Sequence, residues 1–116
     1  MIIETSVLNY LISRNLSVGS SVYMEVPEDP EDEYILIEKI GGGRSDQINM
    51  SRIDIQSCSK ISMERVLEIN EEVISAMDEY AYNTIGVFGC NLNYNNNYTN
   101  PATKIYRYQA GFNIYF

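Results

Sequence analysis

Residues 2–14 carry apolar side chains at helical spacing: Ile3, Val7 and Leu11 recur every fourth position, with Leu8 and Ile12 beside them. Glu4 falls in the first turn and Arg14 in the last, and Asn15 and Gly19 offer stopping points. The pattern then changes to short apolar runs. One strand is expected at Val22–Val26, ended by Pro27, and a second at Tyr34–Ile40, ended by Gly41-Gly42-Gly43. A third is expected over Ile48–Ser57, where Ile48 and Met50 alternate out of phase with Ile53 and Ile55. Either a bulge near Ser51-Arg52 or a strand held between two apolar surfaces accounts for that shift.

A longer helix is predicted over Ser62–Tyr82. Met63, Val66, Leu67, Val73, Ile74, Met77, Tyr80 and Ala81 share one face, while Glu64, Arg65, Glu68, Glu71, Glu72, Ser75, Asp78 and Glu79 share the other. Ser62 is placed to cap it. Asn70 interrupts the apolar seam and reads as a partly exposed boundary residue. Beyond the helix, Phe88, Cys90, Leu92 and Tyr94 alternate within a strand expected at Thr84–Tyr94, and an Asn-rich loop (Asn95, Asn96, Asn97, Asn100) follows. The closing strand, Lys104–Phe116, alternates most clearly: Tyr106, Tyr108, Ala110, Phe112, Ile114 and Phe116 fall on one face. The expected architecture is α+β, a single domain over residues 1–116 in the order α-β-β-β-α-β-β. It is a mainly antiparallel sheet with two helices packed on it.

The 116 residues suit one core, and such a chain buries about 65% of its unfolded surface. No run reaches the roughly 18 apolar residues that span a bilayer, so no membrane partner is expected. Met1-Ile2-Ile3-Glu4 has no basic region before its apolar residues, so the start is not expected to be a signal peptide and synthesis is expected in the cytoplasm. The net charge of −8 and eight scattered basic residues argue against gripping nucleic acid, which needs clustered Lys and Arg to displace counterions.

Histidine is absent, which removes Ser-His, Cys-His and His-metal chemistry. Cys58 and Cys90 lack CxxC spacing and read as small core residues, with a disulfide or a reactive thiol as the alternatives. Gly41-Gly42-Gly43-Arg44 follows one strand and leads into another, so it reads as a flexible hairpin turn and not as a phosphate cradle. The acids Glu25, Glu28, Asp29, Glu31, Asp32 and Glu33 lack the alternating spacing of a calcium loop. Between Pro27, Pro30 and the strands on either side they read as a stiff, solvated connector that presents a charged edge. Glu68, Glu71 and Glu72 lie on the polar helix face, with nothing in the sequence to separate their pKa values for acid–base work. Ten tyrosines, with three phenylalanines and no tryptophan, read first as aromatics covering the sheet; they also suit a surface wet before assembly and dry after it.

Val22-Tyr23-Met24-Glu25-Val26-Pro27, the run Tyr34–Gly43, the strand ending Ile53-Asp54-Ile55-Gln56-Ser57, the helix after a Ser-containing turn, and Tyr106-Arg107-Tyr108-Gln109 follow one another in a telling order. In that succession the chain resembles the tail terminator (tail completion, or minor tail) proteins of long-tailed siphophages and Gram-positive prophages. It departs from them at Cys58-Ser59 and at Val66, where small residues are usual. The resemblance implies a ring of copies of the chain, six in the typical member, at the neck-proximal end of the virion tail. There it caps the tail tube protein and offers a surface to the head-tail connector protein, while DNA passes through without specific binding. It implies no catalytic residue, metal or cofactor.

On that reading the candidate interface residues are Glu28, Asp29, Glu31, Asp32 and Glu33 on one side and Arg44, Arg52 and Arg107 on the other, together with the Gly41, Gly42, Gly43 turn. The glycine turn and the acidic connector are expected to order on assembly. Another neck or head-closure component, a small acidic inhibitor or immunity protein, and, more remotely, a carboxylate metal hydrolase are the competing readings.

Overall fold

The computed structural model describes residues 1–116. Its elements are α1 (Ile3–Ser13), β1 (Val22–Tyr23), β2 (Glu33–Ser45), β3 (Ile48–Ser59), α2 (Met63–Asp78), α3 (Tyr80–Asn83), β4 (Gly89–Asn97) and β5 (Tyr106–Tyr115). The expected order is present, with the second helix broken at Glu79 so that α3 forms a single extra turn. The strands make one sheet in the order β1-β2-β3-β5-β4. Every neighbouring pair is antiparallel except β1 and β2. No helix is long and apolar enough to cross a membrane.

Alternation along paired strands decides what each face carries. Ile35 and Ile37 of β2, Ile53 and Ile55 of β3, and Ala110, Phe112 and Ile114 of β5 turn toward the helices and are buried. They meet Ile3, Val7, Tyr10 and Leu11 of α1 and Val66, Ile69, Val73, Ala76 and Met77 of α2 in one core. Tyr10 and Tyr80 join the two helical segments edge to face, with ring centroids 5.0 Å apart, and the Tyr10 hydroxyl donates to the Ala76 carbonyl. Such aromatic pairs add to the burial of their own area. Ser62 caps α2 as expected, accepting from the Arg65 amide at 3.1 Å.

Several expectations need correction. The buried seam of α2 runs through Ile69, Asn70 and Ala76, while Leu67 is exposed. Asn70 is no boundary residue: it is buried, and its amide donates to Asn95 Oδ1 at 3.0 Å. Asn95–Asn97 therefore belong to β4 and not to a loop. Backbone pairing with β5 carries them, and that ladder does not depend on apolar side chains. The stretch 84–88 precedes the strand, and Val87, not Phe88, is buried there. The first strand lasts two residues only and runs parallel to β2, so the chain leaves it at Met24 and returns through the connector.

β3 holds no bulge. Its pairing with β5 is unbroken from Met50 to Ser59, and the register shift lies in β2, between Lys39 and Gly41. Ile48 and Met50 simply lie on the sheet face away from the helices. Gly41, Gly42 and Gly43 lie within β2, and the turn is made by Asp46 and Gln47, both at positive φ. A Cβ on Gly42 would stand 2.5 Å from the Met50 carbonyl oxygen, so glycine there serves close backbone approach and not a bend.

Candidate assembly surface

The acidic connector is tied down within the single chain. The Tyr23 hydroxyl bonds to Glu31 at 2.7 Å, and that bond holds the Glu31 carboxyl below its usual range while raising the Tyr23 phenol. The Lys60 amide donates to the Asp32 carbonyl at 2.9 Å, and the Lys60 ammonium reaches the Pro30 carbonyl at 3.5 Å. These contacts anchor the connector at Pro30, Glu31 and Asp32, and the three glycines lie inside β2. Glu28, Asp29, Glu31 and Asp32 are exposed along it.

Glu33 stands apart from these four. It opens β2 and takes two bonds from Arg65, Nε at 2.8 Å and Nη2 at 2.9 Å, plus one from the Ser59 hydroxyl at 3.2 Å. Arg65 also reaches Glu68 at 2.7 Å, and Glu72 accepts from both the amide and the hydroxyl of Ser17. Glu68 and Glu72, candidates for acid–base work in the sequence, are thus bound into an ion-pair and hydrogen-bond chain that joins the α1–β1 loop, β2 and α2.

The three arginines do not form one patch. Arg44 lies near the β2–β3 turn. Arg52 projects from β3 on the helix-free face, level with Asn113, and Arg107 lies on that same face across from Cys58. Six strand positions separate Arg52 from Arg107, roughly 20 Å along the sheet. Arg44 and Arg52 mark one end of the sheet. The connector marks the other end, where Lys60 holds it, and Arg107 lies toward that end.

Between these ends the helix-free face carries a polar network that was not foreseen as a unit. Gln56 Nε2 donates to Gln109 Oε1 at 2.8 Å. Gln109 Nε2 in turn reaches Asp54 Oδ2 at 3.1 Å and the Tyr94 hydroxyl at 2.7 Å. Asp54, only 6% exposed, sits beneath them. The signal lay in the polar positions interleaved on β3 and β5, and it becomes visible only once the register aligns Gln56 with Gln109.

Chemistry at the thiols is subdued. Burial pushes Cys58 up to about 11 and Cys90 up to about 12, so both stay protonated and weakly nucleophilic at neutral pH. They are unpaired. No group of three or more Cys, Asp or Glu side chains is placed to hold a metal ion. A groove runs between the end of α1 and α2, and Glu64, Glu68, Glu71, Glu72 and Glu79 line it with Arg14. Its acids are spread along a helix face and do not converge on a point.

No protein-family model and no curated protein matches the chain. Among solved structures it is similar to a chain of the virion of a native gene transfer agent particle. The TM-score is 0.76 at 13% identity, over 97% of this chain and 92% of that one. At such identity the likeness establishes a shared fold from end to end.

Proposed function

We propose that this chain is a virion structural protein of a phage-derived particle. In this reading it caps the tail tube, stops its elongation and forms the head-tail joining surface as a ring. One observation carries the proposal: the fold is shared across nearly the whole length of both chains with a component of a gene transfer agent virion. The motif order that resembles tail terminators points the same way. A ring needs two different complementary surfaces on each subunit, and this sheet offers unlike ends and unlike edges. Charges separated along its length would steer copies and partners into register. The tail tube protein and the head-tail connector protein are its proposed partners, and an acidic channel wall would let duplex DNA slide without being held.

Electron microscopy of tails assembled with and without the protein tests this reading. Without it, tubes should overgrow to irregular lengths and fail to join heads. Tails of normal length that still join heads would sink the proposal. A neck or head-closure component is the second reading, since the neighbour's description covers a whole virion. Mixing with purified tubes separates the two: a terminator arrests their extension, whereas a neck component binds only the connector side. An acidic inhibitor would leave both untouched.

A further inference from the structure

The two outer edges of the sheet are both open, and they match. At one side β4 pairs only with β5, so the outward amides and carbonyls of residues 89–97 have no strand partner. At the other side β1 covers only Ile35 and Leu36, leaving residues 37–45 of β2 open over a stretch as long as β4. β4 carries no charged residue and no proline, the usual guards of a free edge.

Direction also agrees. Because β2, β3, β5 and β4 alternate strictly, β4 runs opposite to β2. A second copy set beside the first would therefore continue the antiparallel ladder without inversion.

One row of residues runs straight across the sheet between the two kinks. Lys39, Ile53, Phe112 and Leu92 form one row across the sheet. Because the two strands run oppositely, the shift in β2 lies on the β2–β3 turn side of that row and the shift in β4 on the connector side. Each shift marks one extra residue, Ile40 or Asn93, and bends its edge next to that common row.

We propose that residues 89–95 of β4 in one copy pair antiparallel with residues 37–43 of β2 in the next copy, forming a continuous sheet in which the row through Lys39 and Leu92 is carried across. In that register Leu92, 44% exposed in the single chain, faces Lys39 of the neighbour, whose aliphatic stem covers it. Phe88, 72% exposed, comes beside the neighbour's β2–β3 turn, where Ile48 is also exposed. The contact joins unlike edges, so it is heterologous and propagates into a ring or a filament. The inference rests on the proposed function only for there being a second copy alongside; tail capping plays no part in it.

Sedimentation and amide hydrogen exchange on the purified full-length chain test it without tails. Raised toward about 1 mM, the weak end of specific association, the protein should self-associate, with protection gained within residues 89–95 and 37–43 together. Leu92→Lys sets two like charges face to face and should weaken association at least tenfold, while circular dichroism shows the fold intact. Adding Lys39→Glu to that variant should restore most of the loss. A chain that stays monomeric at that concentration, protection gained elsewhere but not at these two edges, or a double variant no better than Leu92→Lys would each overturn the pairing. Edge pairing found together with tubes that elongate freely would overturn the capping role and leave this inference standing.

Discussion

Arg65 on α2 grips Glu33 at the head of β2 with two parallel N–H···O bonds of 2.8 and 2.9 Å. A bidentate pair of this kind adds geometric specificity to Coulomb attraction. Here it sets where the acidic connector ends and the sheet begins. Side-chain exposures of 27% and 18% leave the pair partly screened by water.

Glu33→Gln keeps the shape and removes the charge, and should cost about 1.5–2 kcal/mol, the lower part of the range for charged hydrogen bonds. The Arg65 hydrogen bonds hold the Glu33 carboxyl below its usual value in the folded chain. Their contribution is therefore complete above the ordinary glutamate range and is lost as pH falls through the lower folded value. Urea midpoints taken from neutral pH down through the carboxylate range should converge for wild type and variant in acid. A gap that stays constant with pH would assign the effect to packing.

Tyr94 and Gly111 are cross-strand partners, and a β-carbon on Gly111 would overlap the Tyr94 ring. Gly111→Ala should force that ring away, break its bond to Gln109 and cost about 1–3 kcal/mol. In a Tyr94→Ala background the same change should cost far less, a coupling that a double-mutant cycle reads directly.

The β2–β3 turn places Asp46 and Gln47 at φ of 50° and 65°. Side chains other than Gly, Asn or Asp resist that region, and two-residue hairpins favour glycine at the second position. Gln47→Gly should add about 1 kcal/mol and raise Tm by roughly 4 °C. A lowered Tm in calorimetry would mean that the Gln47 side chain contributes something its exposed position does not show.

Asn70 and Asn95 form a polar contact between α2 and β4. Asn95→Ala should cost about 1–3 kcal/mol, because it strands the buried Asn70 amide. Asn70→Leu should be close to neutral, since Asn95 is half-exposed and can turn to water. Denaturation midpoints that rank the two variants in the opposite order would refute this account.

Local pattern carried much of the architecture. The spacing of Ile3, Val7 and Leu11, the Ser62 cap and the alternation through Ala110, Phe112 and Ile114 each state an element in residues that touch one another along the chain. Element order follows from those signals, and so does the α+β class. The strand ends were less legible: Asn95–Asn97 look like loop and Gly41–Gly43 like turn when judged by side chain alone.

Those segments are strands because of their partners. A ladder of main-chain hydrogen bonds recruits any residue that lies opposite a formed strand, and it leaves no mark on composition. Register likewise decided that Gln56 meets Gln109, that Arg44, Arg52 and Arg107 stay apart, and that Glu33 is bound to Arg65 and does not join the free acids. Side-chain chemistry and short-range spacing are written along the chain. The pairing of distant strands, and with it the two open edges, depends on contacts between residues dozens of positions apart, which no local pattern encodes.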